Sequence, residues 1–422
     1  MPFLYDAAIM TFRGLIRVVA AWNPKARAWV NGRKGLFGQL EKSMAKGSGP
    51  VIWMHCASLG EFEQGRPLLE AIKLEHPGHR ILLTFFSPSG YEVRKDHPGA
   101  DIVCYLPADT ARNAARFLSV TCPVLAIFVK YEHWYHILSV LKKEQVPVLL
   151  ISAIFRDGQP FFRSWGGFWR KMLSSYDRIF VQDRASLERL AAIGLSGKTE
   201  VSGDTRFDRV ITLARQSGEL PAIAAFRDDF RVIVAGSTWE GDERILADHA
   251  RKHPGLRYII APHEIREKKL AAFEDLFPSC IRYTAWEKMS GTPEAAAGKW
   301  QVLLIDNIGM LSRLYRYADI TFVGGGFERS GIHNILEAAV YGKPVVFGPV
   351  HQKSREAADL RSLGGAFSVE DAAELSELTA QLLADERSLQ EAGAASAGYV
   401  ENEAGATDRI MQYIHANRLL TS

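Results

Sequence analysis

Residues 324–349, GGGFERSGIHNILEAAVYGKPVVFGP, give the clearest indication of the fold. The β-branched run 320–323 predicts a strand that ends in the three glycines, and 345–347 predicts the next strand. Between them, a helix is predicted from about residue 332 to 341. This order is typical of nucleotide-binding α/β domains, because glycines let an anion approach the backbone and N–H groups at a helix start favour negative charge.

Two polar residues near the start of this predicted helix are candidate nucleotide ligands. Asn334 falls in its first turn, and Glu337 falls one turn later on roughly the same face. A carboxylate there can bind a ribose diol while the helix terminus binds a phosphate. The alternative is a tight strand-to-helix turn with a surface glutamate, and the glycines alone do not exclude it.

Outward from this stretch, short apolar strands alternate with segments of helix length. Such alternation predicts parallel sheets covered by helices on both faces, and a polar interval near 213–230 predicts a linker between two domains. The predicted strands of the two halves are 51–56, 81–86, 101–105, 124–129, 146–152, 178–182 and 199–202, then 231–235, 257–261, 302–305, 320–323 and 345–347.

Composition is that of a globular, reduced protein. The chain has 422 residues, which is too long for one core, with 47% apolar and 23% charged residues. A net charge of +3 does not indicate nucleic acid as a partner. The four cysteines are far apart and contain no C-x-x-C pair, so we predict free thiols and a cytosolic compartment.

The amino terminus is apolar but interrupted by charge. In residues 3–22, the side chains of Asp6, Arg13 and Arg17 fall within one narrow stripe at 100° per residue. A spanning helix would bury two arginines, at about 2.5–3.5 kcal/mol each. We therefore predict an amphipathic helix that lies on an anionic membrane surface. An ordinary helix docked on the protein is the alternative.

A second motif follows the first predicted strand. His55-Cys-Ala-Ser58-Leu-Gly60-Glu61 places Glu61 at the start of a helix, at the carboxyl edge of the sheet where ligands bind. A glutamate there can act as a general base if an acceptor hydroxyl lies within hydrogen-bond reach. Alternatively, Glu61 only complements the helix N-terminus.

The run WMHCASLGE with E-x-x-x-G-R-P-L-L resembles the segment that opens the 3-deoxy-D-manno-octulosonic acid (Kdo) transferases of lipopolysaccharide biosynthesis. The resemblance continues in order along nearly the whole chain, at 84–90, 132–134, 201–208, 235–243 and 324–349. It implies a GT-B fold: two Rossmann-like domains facing across a cleft, with an N-terminal membrane-associating helix.

The resemblance also divides the chain. It implies a membrane-associating segment at 1–45, an acceptor-binding domain at 46–213, a CMP-sugar-binding domain at 214–405 and a closing helix at 406–422. The implied reaction is inverting transfer of Kdo from CMP-Kdo to a lipid A precursor, at the cytoplasmic face of the bacterial inner membrane. CMP-Kdo is a substrate, and neither a cofactor nor a metal is implied.

Site residues follow from the same resemblance. Glu61 corresponds to the catalytic base, and Arg206 falls where the family usually has a lysine, although an ion pair with Asp204 or Asp208 is an equal alternative. The donor residues implied are Gly236, Ser237, Thr238, His263, Gly325, Gly326, Asn334 and Glu337. The acceptor-side residues implied are Ser58, Gly60, Ser87, Ser89 and Glu132. Ser237 or Thr238 is also predicted to be the N-cap of the next helix.

Two departures from the family pattern leave roles open. After the second strand of the C-terminal domain, a family arginine is missing, and either His263 or Arg266 replaces it. In the family's Glu-Thr-Glu-Leu-Trp, the first glutamate becomes Lys130 and only the second, Glu132, is kept. Another GT-B transferase or epimerase, or a non-catalytic membrane-associated nucleotide-binding protein, are the alternative functions.

Overall fold

A computed structural model of the protein describes residues 2–290 and 299–420. The chain divides into two compact units, Met1–Arg209 with Ala404–Ser422, and Val210–Glu403. The ends of the predicted segments 1–45 and 406–422, namely residues 1, 421 and 422, lie outside the described residues.

The first unit is built on a seven-stranded parallel sheet in the order β3-β2-β1-β4-β5-β6-β7. Its strands are apolar on both faces, as expected of a sheet covered by helices on both sides. The strands are Val51–Cys56 (β1), Arg80–Phe85 (β2), Ile102–Tyr105 (β3), Pro123–Val129 (β4), Val148–Ala153 (β5), Arg178–Val181 (β6) and Thr199–Val201 (β7).

Helices pack on both faces of this sheet and form two buried clusters of apolar side chains. The helices are Pro2–Val19 (α1), Pro24–Asn31 (α2), Leu36–Met44 (α3), Leu59–Glu75 (α4), Pro88–Arg94 (α5), Ala111–Thr121 (α6), Tyr135–Lys143 (α7), Gly167–Leu173 (α8), Arg184–Ala192 (α9) and Thr205–Gln216 (α10), in which the unit ends. Short 3-10 helices cover Pro160–Phe162 and Ser196–Lys198.

The C-terminal segment returns to the first unit as helix Ala406–Ala416, labelled α20 below. Its apolar residues Ile410, Met411 and Ile414 belong to the same buried cluster as the inner face of α4. Asp208 accepts hydrogen bonds from the backbone N–H groups of Gly405 (2.6 Å) and Thr407 (2.7 Å) at the start of α20. This helix is therefore part of the core of the first unit.

The second unit contains another seven-stranded parallel sheet, in the order β10-β11-β9-β8-β12-β13-β14. Its strands are Val232–Thr238 (β8), Arg257–Pro262 (β9), Cys280–Arg282 (β10), Val302–Leu304 (β11), Ile320–Val323 (β12), Val345–Phe347 (β13) and Ala366–Ser368 (β14). Its helices are Pro221–Arg227 (α11), Glu240–Lys252 (α12), Glu267–Leu276 (α13), Tyr283–Met289 (α14), Leu311–Leu314 (α15), Leu336–Ala339 (α16), Arg355–Ser362 (α17), Ala372–Ala384 (α18) and Glu386–Glu403 (α19), with a 3-10 helix at Tyr315–Tyr317.

Two local predictions were wrong, and two short strands were not predicted. The interval 213–230 is not a polar linker, because it contains α11, whose Ile223 and Phe226 are buried. The helix predicted at 332–341 is reduced to the four residues of α16. The short strands β10 and β14 were missed.

The N-terminal helix α1 has no buried residue, yet one side of it contacts the first unit. Tyr5 donates a hydrogen bond to Asp109 (2.6 Å), Asp6 pairs with His136 (2.5 Å), and Phe12 packs edge-on against Trp29. A different side carries exposed apolar side chains, which we call the outward apolar face: Phe3, Leu4, Met10, Leu15, Val18 and, just after the helix, Trp22. Among the described residues, no helix is long and apolar enough to span a membrane.

Candidate active site

In the first unit, the sheet order reverses direction between β1 and β4. Strands β2 and β3 follow on one side of β1, whereas β5 to β7 follow on the other side of β4. Ligands of doubly wound α/β domains bind beside the carboxyl ends of strands at such a switch point. Glu61 follows the end of β1 and Glu132 follows the end of β4, so both carboxylates lie at this edge.

Glu61 lies in the first turn of α4, after the N-cap residue Ser58. Its Oε2 accepts a hydrogen bond from the backbone N–H of Ser58 (3.1 Å), so it does complement the helix start. Burial raises the pKa of Glu61, and the charge of Glu132 raises it further, against the opposing effects of His55 and of backbone N–H groups. The side chain is therefore both a capping group and a stronger base than an exposed glutamate.

Behind Glu61 lies a buried hydrogen-bonded network that the sequence did not predict. Glu132 Oε2 accepts from His55 Nε2 (2.9 Å) and from the indole N–H of Trp134 (2.7 Å). The other ring nitrogen of His55 lies 2.8 Å from the hydroxyl of Thr84. Both Glu132 and His55 are buried, so the structure places Glu132 within the protein as a neighbour of Glu61. The only feature of the sequence that could have indicated this network is His55, a histidine in an otherwise apolar strand.

The remaining predicted acceptor-side residues gather at the same edge of the sheet. The N–H of Ser87 donates to the carbonyl of Ala57 (2.7 Å), which joins the turn after β2 to the turn after β1. Ser87 caps α5 by accepting from the N–H of Ser89 (3.3 Å). Gly60 is exposed, and a Cβ added there would meet open space. The acceptor roles of Ser58, Gly60, Ser87 and Ser89 stay predictions.

Arg206 is engaged in an ion pair with Asp204, one of the two partners considered from the sequence. Its Nε and the Asp204 carboxylate are 2.8 Å apart, and its backbone N–H donates to the same carboxylate (2.9 Å). Asp204 is buried, whereas Arg206 is about one-third exposed. The catalytic role of Arg206 stays a prediction, and the structure shows how its guanidinium is oriented.

In the second unit, the equivalent switch point lies between β8 and β12. Gly236, Ser237 and Thr238 end β8, and Ser237 has a positive φ of 54°. Neither Ser237 nor Thr238 is the N-cap of α12, as the sequence suggested, because Trp239 lies between them and the helix. Thr238 instead donates from its hydroxyl to Glu243 (3.2 Å).

The three glycines after β12 are required by close backbone packing. A Cβ on Gly324 would lie 2.4 Å from the carbonyl oxygen of Ser237, and one on Gly326 would lie 2.3 Å from the backbone nitrogen of Gly348. Gly325 has a φ of 91°, which L side chains rarely adopt. The glycines therefore allow the ends of β8, β12 and β13 to pack closely together. This packing explains the presence of the glycines without a bound ligand.

Asp242 connects two parts of the predicted donor site and was missed by the sequence analysis. It lies fully buried in the first turn of α12, and its Oδ2 accepts from the N–H groups of Trp239 and Gly325, each at 2.8 Å. Burial raises its pKa to about 6, although these backbone N–H groups act in the opposite direction. Acidic residues in a first turn of a helix are common, so the sequence did not distinguish this one.

His263, one of the two candidates for the missing arginine, follows β9 and is held in a stack of rings. Its imidazole stacks on the rings of both Trp239 (4.5 Å between centroids) and His333 (4.6 Å). Trp239 donates its indole N–H to His333 Nε2 (3.0 Å), and burial lowers the pKa of His333. The other candidate, Arg266, is exposed and 3.7 Å from Glu264. His263 is itself exposed, so its ring remains accessible to a ligand.

Asn334 and Glu337 are brought together at the start of α16. The amide of Asn334 donates to Glu337 Oε1 (3.3 Å), and its oxygen accepts from the N–H of Leu336 (3.3 Å). Because α16 has only four residues, it does not provide the N-terminal dipole with which a longer helix would favour a phosphate. Recognition by this pair would depend on their side chains, and their donor roles stay predictions.

The comparisons with known proteins agree with the motifs. Residues 31–209 match the family described as 3-Deoxy-D-manno-octulosonic-acid transferase (kdotransferase). The 3-deoxy-D-manno-octulosonic acid transferase of Bordetella pertussis is 29% identical, over 95% of this chain and 96% of that protein. The transferase of the same name from Aquifex aeolicus (strain VF5) is 28% identical, over 83% of this chain and 90% of that protein.

Among solved structures, UDP-GlcNAc 2-epimerase from Neisseria meningitidis, bound to UDP-GlcNAc, is similar in fold. It has a TM-score of 0.59 and 16% identity, and the match covers 87% of this chain and all of that one. With the two seven-stranded, doubly wound parallel sheets, this likeness confirms the two Rossmann-like domains of the predicted GT-B fold, whereas membrane association of the N-terminal helix stays a prediction. From the match of residues 31–209 and the relatives that extend along the chain, we conclude that the protein is similar to the 3-deoxy-D-manno-octulosonic acid (Kdo) transferases, which are glycosyltransferases.

Proposed function

We propose that this protein is an inverting glycosyltransferase that moves Kdo from CMP-Kdo to a hydroxyl of a lipid A precursor in lipopolysaccharide biosynthesis. The similarity to the Kdo transferases supports the reaction class. The observation that carries the mechanism is Glu61, a carboxylate at the carboxyl edge of β1 whose pKa is raised by burial and by Glu132.

In the proposed step, Glu61 takes the proton of the acceptor hydroxyl as that oxygen attacks the anomeric carbon of Kdo. The new carbon–oxygen bond forms on the face opposite the leaving group, which gives inversion. The bond from the anomeric carbon to the CMP phosphate breaks, and CMP leaves with the electron pair. A base is more effective when its pKa approaches the working pH, and the raised pKa of Glu61 is a shift in that direction.

The buried network behind Glu61 has a supporting role in this proposal. The hydrogen bonds from His55 and Trp134 hold the carboxylate of Glu132 in place near Glu61. The negative charge of Glu132 disfavours the ionised form of Glu61 and so increases its affinity for a proton. Glu132 therefore acts through Glu61 and need not touch the acceptor.

The donor is proposed to bind the second unit at the carboxyl ends of β8, β9 and β12. The predicted donor residues follow these strands, as doubly wound domains require of their ligands. Asp242 fixes the glycine turn after β12 to the start of α12, and the ring stack fixes His263. No cofactor is proposed, because CMP-Kdo is itself the activated substrate and its leaving group carries one phosphate.

Association with an anionic membrane surface is proposed through α1. Its outward apolar face exposes, for example, 61% of Leu15 and 68% of Trp22, while Tyr5 and Asp6 hold another side to the protein. A cavity beside α1 is lined by four basic residues, Arg13, Arg17, Arg33 and Lys34. Apolar surface next to positive charge is the combination that favours an anionic lipid interface, and we place it at the cytoplasmic face of the inner membrane.

The decisive experiment mixes purified protein with CMP-Kdo and a tetra-acylated lipid A precursor, and measures CMP release and Kdo-lipid formation. We expect both products in equal amounts, and neither CMP nor Kdo-lipid when the lipid is omitted. Epimerisation of UDP-GlcNAc without CMP release would favour the epimerase alternative. Tight CMP binding without turnover would favour a non-catalytic binding protein.

A further inference from the structure

A cluster of three metal-ligating side chains lies at the end of α4 that is remote from Glu61. Glu75 is the last residue of α4, His76 follows it, and His415 is in the last turn of α20. One ligand atom of each side chain lies within 4.8 Å of the other two. All three side chains are exposed or half-buried, so solvent ions reach them.

Ring nitrogens of two histidines and a carboxylate oxygen of Glu75 converge in this cluster. His415 Nε2 lies 3.1 Å from Glu75 Oε2 and 3.4 Å from His76 Nε2. An imidazole nitrogen carries at most one proton, which can be directed at only one of these two neighbours. A divalent cation between the three atoms would accept a lone pair from each of them.

Two of the three separations between ligand atoms fit a first-row transition metal ion, and the third, between Glu75 and His76, is within 4.8 Å. Zinc binds imidazole nitrogen at about 2.0–2.1 Å and carboxylate oxygen at about 2.0–2.2 Å, so two ligand atoms of a tetrahedral site are about 3.3 Å apart. The separations of 3.4 Å and 3.1 Å lie within about 0.2 Å of that value. We propose that Glu75, His76 and His415 bind a divalent transition metal ion of the Zn²⁺ class, with water in the remaining position.

A bound ion would link two helices of the first unit. His76 and His415 are 339 residues apart in sequence, so a bound ion would fasten the returning helix α20 to the end of α4. Glu61 is fourteen residues from Glu75 on the same helix, which corresponds to about 21 Å. The ion would therefore stabilise the unit without taking part in the proposed transfer, and the inference is independent of that function.

The test is a Zn²⁺ titration of the full chain after removal of metal by a chelator, in a Cys122→Ser background because Cys122 is an exposed free thiol. Calorimetry should show one Zn²⁺ per chain, and Zn²⁺ should raise the thermal unfolding midpoint, because an ion that binds the native state stabilises it. In His76→Gln and in His415→Gln, we expect at least a tenfold weaker affinity and loss of the rise in the midpoint. His253→Gln, which changes a half-buried histidine of the second unit, is the matched control and should keep both.

Because His415 is exposed, its substitution should leave the circular dichroism spectrum unchanged, and this comparison separates loss of binding from misfolding. Absence of Zn²⁺ binding by the parent protein would overturn the proposal. So would an affinity that stays within twofold of the parent in both histidine variants, because binding would then be at other residues.

Discussion

Glu61→Gln is the substitution that best separates the two roles of Glu61. The amide keeps an oxygen to accept the hydrogen bond from Ser58, which is 3.1 Å long, but it cannot take a proton from the acceptor. Loss of a general base lowers kcat by about 10²–10⁴-fold, or about 2.7–5.4 kcal/mol in the activation barrier. Stability should stay close to that of the parent protein, because the bond at the helix start is kept.

Glu61→Ala should show the same loss of kcat and, in addition, a lower free energy of unfolding by about 0.5–1.5 kcal/mol, because the bond to Ser58 is lost. The assay is CMP release at saturating substrates, with CMP affinity and urea unfolding measured on the same preparations. Glu63→Gln is the matched control on the same helix, since Glu63 pairs with Arg94 (2.7 Å), and it should keep kcat near the parent value. If Glu61→Gln kept more than a third of the parent kcat, Glu61 would be a capping residue only.

Four further outcomes are expected. Glu337→Ala should weaken CMP binding by about 1.5–3 kcal/mol, because a charge-assisted hydrogen bond is lost, and an unchanged Kd by calorimetry would remove this residue from the site. Because the pKa of Glu61 is raised and a base must be ionised, kcat should fall as the pH is lowered, with a midpoint above pH 4.5. Glu132→Gln should move this midpoint to lower pH, and a midpoint that does not move would contradict the proposed effect of the Glu132 charge. Transfer should survive EDTA, whereas loss of activity that magnesium restores would show that the leaving group needs a metal. Replacing Leu15 and Trp22 by glutamine should release the protein from anionic vesicles with CMP affinity unchanged, and full co-sedimentation would refute the role of the outward apolar face.

Strand positions were largely readable from the sequence, because buried parallel strands are continuous apolar runs. Val51–Cys56 and Ile320–Val323 were predicted with the observed bounds. Cys280–Arg282 and Ala366–Ser368 were missed, because three residues are too few to carry a pattern and pairing with a neighbouring strand defines them.

The helix predicted at 332–341 failed for a reason that lies outside the segment. The N–H of Ile332 donates to the carbonyl of Val350, and the N–H of His333 donates to that of Gly324. These two bonds tie the start of the segment to the chain after β12 and after β13, and the chain stays irregular until Leu336. Local propensity favoured a helix, and these contacts with distant residues overrode it.

The class of sheet, the resemblance to the Kdo transferases and the position of Glu61 at the start of α4 could be predicted from the sequence, because these depend on residues that are close in the chain. Which distant side chains meet could be seen only in the folded protein. Glu132 binds His55 across 77 residues, and Asp242 binds Gly325 across 83. These pairings follow from the order of strands in each sheet, in which β4 lies beside β1 and β12 beside β8, and no local pattern of residue types encodes that order.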